Sequence, residues 1–145
     1  MIRVTRRYCF SASHRLHAPQ LSDEQNRRLY GKCNNPFGHG HNYEVEVSVR
    51  GPVDVQSGQV VDRKTLDALV GREVLRVFHH RDLNSEIPEF QNAVPTSENL
   101  GLVLWRRLEQ KWREAFPAEW PVLDRIRIAE TSRNIFEVAG QNAKL

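Results

Sequence analysis

The sequence predicts an α+β domain: an antiparallel β-sheet with two helices packed on one of its faces. Three observations predict it. Two long stretches near the start alternate with period two, two later stretches carry apolar residues at three- and four-residue steps, and a pair of short alternating segments ends the chain. Strands joined by a short connection run antiparallel, and β-rich stretches flanking two helices place both helices on one side of the sheet. A chain of 145 residues is expected to form one domain, 1–145, large enough to bury a core without disulfides.

Taken in order, Ile2 to His14 places Ile2, Val4, Arg6, Tyr8, Phe10, Ala12 and His14 on one face and Arg3, Thr5, Arg7, Cys9, Ser11 and Ser13 on the other, a half-buried strand. The second strand sets His39, His41, Tyr43, Val45, Val47 and Val49 opposite Asn42, Glu44, Glu46, Ser48 and Arg50. The first strand ends in a histidine, and in the second histidines begin the face that then becomes apolar. Gly51-Pro52 and Ser57-Gly58 punctuate the loop that follows, and Gln59-Val60-Val61 is expected to return as a short hairpin strand. Asp62 caps a helix whose stripe is Leu66, Leu69, Val70, Val74 and Val77, ending near Phe78. The stretch from His79 to Pro95 has no sustained period and reads as an extended loop, as does Tyr30 to Gly38. Thr96 and Ser97 offer N-caps to a second helix with the stripe Leu100, Val103, Leu104, Leu108, Trp112 and Ala115, which Pro117 stops. Ile126, Ile128 and Glu130 then share a strand face, and Ile135 to Val138 makes a terminal strand.

Composition narrows the function classes. Apolar residues make up 39% and charged residues 27% with both signs mixed, and no apolar run reaches the roughly 18 residues that cross a bilayer, which disfavours both a disordered chain and a membrane-spanning helix. The first residues lead directly into a strand pattern, so a cytoplasmic protein is expected, with Cys9 and Cys33 as reduced thiols. A net charge of +3 and a pI near 9.1 suit an anionic small molecule as well as nucleic acid. The clustered cations and exposed aromatics of a nucleic-acid interface are absent, as is the His-x-Glu and Cys-x-x-Cys pattern of the nucleobase deaminases.

Several residues carry candidate chemistry. His39 and His41 lie side by side on one strand face, and His14 ends the inward face of another strand. Three neutral imidazoles suit zinc and leave its fourth position open, although a His-x-His pair alone is also an ordinary surface or core feature. Cys33, six positions before His39, is a proton acceptor or nucleophile if a metal, Lys32 or a protonated histidine lowers its pKa, and otherwise a fourth ligand or an inert thiol. His79-His80 follow the first helix beside Asp82, which is placed to orient one ring; the alternative is a solvated helix end. Glu130, continuing an apolar face, needs a donor, met either by an amidine-like group of a ligand or by an internal arginine or backbone amide.

These residues resemble the 6-pyruvoyltetrahydropterin synthases over nearly the whole chain. Phe10-Ser11-Ala12-Ser13-His14 is similar to the family's first zinc-ligand motif. Tyr30-Gly31-Lys32-Cys33-Asn34-Asn35-Pro36-Phe37-Gly38-His39-Gly40-His41-Asn42-Tyr43 is similar to its longest signature, and Thr96-Ser97-Glu98-Asn99 and Glu130-Thr131 to its pterin-contacting segments. The resemblance implies a tunnelling fold (T-fold), in which sheets of several subunits close into a barrel. It also implies a homohexamer of two trimers with active sites at subunit interfaces. It implies zinc on His14, His39 and His41, catalytic roles for Cys33, His80 and Glu130, and substrate contacts from Thr96, Ser97 and Glu130. The implied substrate is 7,8-dihydroneopterin triphosphate, which loses triphosphate. One position departs from the family's usual Asp-His pair, since His79 stands before His80. A related branch, the 6-carboxytetrahydropterin synthases of queuosine biosynthesis, is the alternative. The six-residue step from Cys33 to His39 favours the pyruvoyl branch, whereas Pro95-Thr96-Ser97-Glu98 is at least as similar to the carboxy branch.

Overall fold

In chain order the elements of the computed structural model are β1 (Ile2–His14), α1 (Asp23–Tyr30), a 3-10 turn (Gly31–Asn34), β2 (His39–Gly51), α2 (Arg63–Val70), a π turn (Gly71–Leu75), α3 (Arg76–Phe78), β3 (Arg81–Asp82), α4 (Leu83–Glu86), a second 3-10 turn (Pro88–Phe90), α5 (Ser97–Ala115), β4 (Val122–Ala129) and β5 (Ile135–Ala139). The structure describes residues 1–140; the last five positions of the expected 1–145 domain lie outside the described residues.

The period-two pattern of β1 and β2 decides how they pair. Antiparallel pairing sets Phe10 against Tyr43, Ala12 against His41 and His14 against His39, so the apolar faces of both strands coincide. β4 takes the other edge of β2, with Val47 opposite Ile126 and Val45 opposite Ile128, and β5 pairs with β4. β3 runs parallel to β1 and completes the order β3-β1-β2-β4-β5. On the inward face, Val45, Val47, Ile126 and Ile128 are buried against Leu66, Leu69, Val74 and Phe78 from the α2–α3 segment and Leu100, Leu104 and Leu108 from α5. Each large aliphatic side chain buried this way contributes about 1.5–3 kcal/mol. The expected sheet with two main helices on one face is therefore present, and Asp62 and Thr96 cap those helices by accepting from the backbone N–H groups of Lys64 and Asn99.

Three sequence expectations need correction, and one helix, α1, was not expected. Gln59-Val60-Val61 forms no strand, because both edges of β2 are already taken by β1 and β4; the segment is a loop closed by the Asp54 N–H on the Gln59 carbonyl, with Val61 buried as an anchor. The stretch from His79 to Pro95 is not unstructured: β3 covers the edge of β1, and Asp82 caps α4 by accepting from the Ser85 N–H. Tyr30 to Gly38 contains the 3-10 turn. The helix α1 went unread because it has no apolar stripe; its sequence signal is the capping box of Ser22 and Gln25. Its one buried residue is Asn26, whose side chain exchanges two hydrogen bonds with the backbone of Ala18. Among the described residues no helix is long and apolar enough to cross a membrane.

The turn before β2 fixes where its first histidine enters the sheet. Gly38 has φ +71°, and a Cβ there would stand 3.0 Å from the His14 carbonyl oxygen, whereas Gly58, with the same φ, has open space around it. Gly38→Ala is expected to destabilise the protein by about 2–3 kcal/mol and Gly58→Ala by about 1 kcal/mol. Urea unfolding of the two variants measures the difference.

Candidate functional site

The β1–β2 register assembles the imidazoles. His14 and His39 face each other across the two strands, with ring centroids 5.3 Å apart, and His41 stands one inward step along β2, its centroid 4.9 Å from His14 and 4.7 Å from His39. His14 is fully buried, and its Nδ1 lies 2.9 Å from the Pro95 carbonyl oxygen. A carbonyl only accepts, so the His14 proton sits on Nδ1 and Nε2 carries a lone pair. That Nε2 is buried and has no hydrogen-bond partner among the described residues. Burial also holds the His14 and His41 pKa values below the ordinary 6.5, so both rings are neutral at pH 7 and their lone pairs are available.

The residues present fit a metal ion. Donor atoms of His14, Cys33, His39 and His41 all lie within 4.8 Å of one another. The Nε2 atoms of His39 and His41 are 3.2 Å apart. Two imidazole ligands at tetrahedral zinc, each about 2.0 Å from the ion, stand about 3.3 Å apart, so this spacing needs almost no rearrangement. The orphaned His14 Nε2 gains a partner in the same step.

Cys33 reaches this cluster from the 3-10 turn after α1. Its carbonyl accepts from the Leu16 N–H at 2.7 Å, and buried Asn34 donates its side-chain amide to the Leu16 carbonyl at 2.7 Å, which docks the turn on the end of β1. The chain's own surroundings push the thiol pKa up, first through burial and then through the negative charge of Glu130. Of the three groups that could lower it, Lys32 is exposed and is not among the groups that set the shift.

Glu130 lies one residue past β4, on the inward face. Its Oε2 accepts from the hydroxyl of buried Ser97, and its Oε1 stands 3.2 Å from His41 Nε2. The side-chain donor it has is thus a hydroxyl; no internal arginine bonds it among the described residues. Thr96, half-buried beside Ser97, uses its oxygen to cap α5, accepting from Asn99 N–H at 3.2 Å. Sequence reasoning missed Tyr43, whose hydroxyl is 3.4 Å from His14 Nδ1, and Pro95, whose carbonyl fixes that ring; neither residue type signals such a role.

His79 and His80 lie elsewhere. Their rings stack at 3.7 Å with an interplanar angle of 29°, and His80 has φ +59°. The Ser11 N–H donates to His79 Nδ1 at 3.1 Å and the His80 N–H to the Ser11 carbonyl at 2.6 Å, so the pair binds the edge of β1. His80 lines a shallow cleft of about 480 Å³ with Ser11, Ser13 and Asn42 from the outward face of the sheet, bordered by His41 but not by Cys33 or Glu130. Asp82 does not orient His80, as its carboxylate is occupied by the hydroxyl of Ser13 at 3.0 Å and by Ser85. The structure thus brings together His14, His39, His41, Cys33, Ser97 and Glu130, with Thr96 adjacent, and leaves His80 on the opposite face.

Comparison with known proteins gives a consistent result. The family model described as 6-pyruvoyl tetrahydropterin synthase matches residues 3–141. A relative from Poecilia reticulata named 6-pyruvoyl tetrahydrobiopterin synthase is 43% identical over 138 residues, covering 95% of this chain and 90% of the relative. The solved structure of the Caenorhabditis elegans 6-pyruvoyl tetrahydropterin synthase superposes with a TM-score of 0.87 at 39% identity, covering 96% of this chain and 95% of that one. An archaeal relative from Archaeoglobus fulgidus, named as a 6-carboxy-5,6,7,8-tetrahydropterin synthase, is 34% identical over 100 residues, covering 69% of this chain and 74% of the relative.

The position of Cys33 between a buried pocket and a carboxylate sets its reactivity in the metal-stripped protein. Its alkylation by iodoacetamide is expected to rise with pH through a midpoint above the ordinary thiol value of 9.0, and Glu130→Gln is expected to move that midpoint down. Mass spectrometry of the Cys33 peptide across a pH series reads both.

Proposed function

The chain belongs to the 6-pyruvoyl tetrahydropterin synthase family, and from that premise we propose that it acts as a zinc-dependent carbon–oxygen lyase that eliminates triphosphate from 7,8-dihydroneopterin triphosphate. Proton transfers within the bound pterin then give 6-pyruvoyltetrahydropterin, on the route to tetrahydrobiopterin. The observation that carries this reading is the convergence of three imidazoles, a thiol and a hydroxyl-tethered carboxylate on the inward end of one strand pair.

His14, His39 and His41 would hold the zinc ion. When bound, zinc supplies Lewis-acid polarisation of the oxygens on the substrate side chain. Cys33 takes a proton from the adjacent carbon. This requires the thiolate, which burial and Glu130 disfavour until a cation shares the pocket. The two oxygens of Glu130 match the pterin ring N–H and exocyclic amine as parallel acceptors, with Ser97 holding the carboxylate in place and Thr96 flanking it at the start of α5.

His80 exchanges the second proton. Because it faces the opposite side of the sheet from Cys33, the proposal needs a neighbouring subunit to bring a His80 to each pocket. This agrees with a homohexamer of two trimers whose active sites lie at subunit interfaces. The outer edge of β5 has no partner strand among the described residues, which suits closure of several sheets into the barrel of a tunnelling fold. The enzyme is placed in the cytoplasm, where its two free thiols stay reduced, with a small pterin as its partner and neither membrane nor nucleic acid. The stronger and longer similarity to pyruvoyl relatives favours this product over the carboxy branch.

Mass spectrometry of the products from zinc-loaded protein is expected to give 6-pyruvoyltetrahydropterin and triphosphate; 6-carboxytetrahydropterin with acetaldehyde would reassign the chain to the carboxy branch. Cys33→Ala is expected to lower kcat by about 10²-fold or more while keeping stoichiometric metal. Replacement of His14, His39 and His41 by alanine is expected to abolish metal binding. Glu130→Gln is expected to weaken pterin binding by about tenfold or more in calorimetric titration.

A further inference from the structure

One histidine takes no part in the metal cluster and yet touches the turn that carries Cys33. His17, half-buried on the segment that follows β1, has its Nδ1 3.1 Å from the side-chain amide nitrogen of Asn34. Asn34 is buried and directly follows Cys33. Its amide orientation is fixed from the other side, because the same nitrogen lies 2.7 Å from the Leu16 carbonyl oxygen, which only accepts. The amide's second hydrogen is then the one that meets His17, so the neutral ring carries its lone pair on Nδ1 and its proton on Nε2.

Protonation leaves this contact without a solution. An imidazolium presents an N–H at both nitrogens, so two donors would meet at 3.1 Å, and turning the amide over would set its oxygen against the Leu16 carbonyl. Nor do the surroundings compensate a positive ring. The cavity that His17 lines has Arg15, from the same segment, as its one charged side chain, while Asn84 from α4 and Gln91 and Asn92 from the loop before α5 are neutral. On the far side of Asn34, Arg15, Arg27 and Lys32 face the single carboxylate of Asp23. Positive charge prevails on both sides of the contact and opposes a further cation there.

Cys33 depends on the same turn. Its carbonyl accepts from the Leu16 N–H at 2.7 Å, the Asn34 carbonyl accepts from Arg15 Nε at 3.2 Å, and the Asn34 amide completes the dock. We propose that His17 is a positioning residue for Cys33: as a neutral ring it holds Asn34, and with it the turn that brings the thiol to the three imidazoles, and on protonation it releases that turn. This rests on the reading above that Cys33 takes a proton from the substrate. The contact is intact at neutral pH, where His17 accepts, and is lost as the pH falls and the ring gains its second proton.

The test is hydrogen exchange at the Leu16 amide of the metal-loaded protein between about pH 8 and about pH 5, read by mass spectrometry and corrected for intrinsic exchange, with kcat/KM followed over the same range. His17→Asn sets an uncharged carbonyl oxygen where Nδ1 stands, and His17→Leu removes the acceptor altogether. Wild type is expected to lose about tenfold in Leu16 protection from the upper to the lower end of the range, whereas His17→Asn stays within about twofold. The kcat/KM of wild type is expected to fall more steeply towards low pH than that of His17→Asn. His17→Leu is expected to show the lowered protection at every pH; should it fail to fold, the comparison of wild type with His17→Asn decides alone. Equal pH dependence of Leu16 protection in those two proteins would overturn the proposal, and so would matching kcat/KM profiles. The expected difference in protection, found in a protein that turns over no 7,8-dihydroneopterin triphosphate, would keep the His17 contact and remove the reaction assigned above.

Discussion

The single antiparallel register of β1 and β2 is the constraint on which the site depends. It places His14 directly opposite His39 and brings His41 one inward step away, so three lone pairs meet without any loop having to position them. Because side chains alternate with period two, a slip of one residue would send His39 and His41 to the outward face while also exposing Val45 and Val47. The apolar core therefore enforces the alignment of the polar site: the hydrophobic stabilisation of the lower part of each strand fixes the geometry of its upper end. Gly38 belongs to the same constraint, since it lets the chain pass close against the His14 carbonyl as it enters β2.

The electrostatics of the pocket divide into donors that are ready and a thiol that is not. Burial keeps His14 and His41 neutral, and the Pro95 carbonyl selects the His14 tautomer with a free Nε2. The same burial, with Glu130 nearby, keeps Cys33 protonated in the absence of a cation. A dication held by His14, His39 and His41 would supply charge that favours the thiolate. Glu130 accepts from the Ser97 hydroxyl, which gives a partly buried carboxylate a partner before any pterin arrives.

Much of this was legible in the sequence because strand alternation is a local property. His14, His39, His41 and Glu130 could be assigned to inward faces by counting residues in twos, and the stripes of the α2–α3 segment and α5 by counting in threes and fours. What was not legible depended on contacts between distant segments. The segment at Gln59 to Val61 has a strand's composition, but β4, far along the chain, had already claimed the edge it would need. Asp82 was adjacent to His80 in sequence, yet Ser13 and Ser85 compete for its carboxylate. The sequence around Cys33 does not show the groups that push its pKa up, the walls of the pocket and Glu130, which lies far along the chain. The helix α1 escaped because it is held by Asn26, not by an apolar face, and hydrophobic periodicity cannot report a hydrogen-bonded dock.

That polar dock has a thermodynamic consequence for the segment carrying Cys33. Detaching α1 exposes little hydrocarbon, as its one buried residue is Asn26 and Leu29 is already 62% exposed. Local opening of this lobe thus carries a small heat-capacity change and a weak dependence on denaturant, in contrast to global unfolding of the Leu- and Val-rich core. It is resisted by the directed bonds at Ala18, Leu16 and Cys33 and not by the burial that holds the rest of the fold.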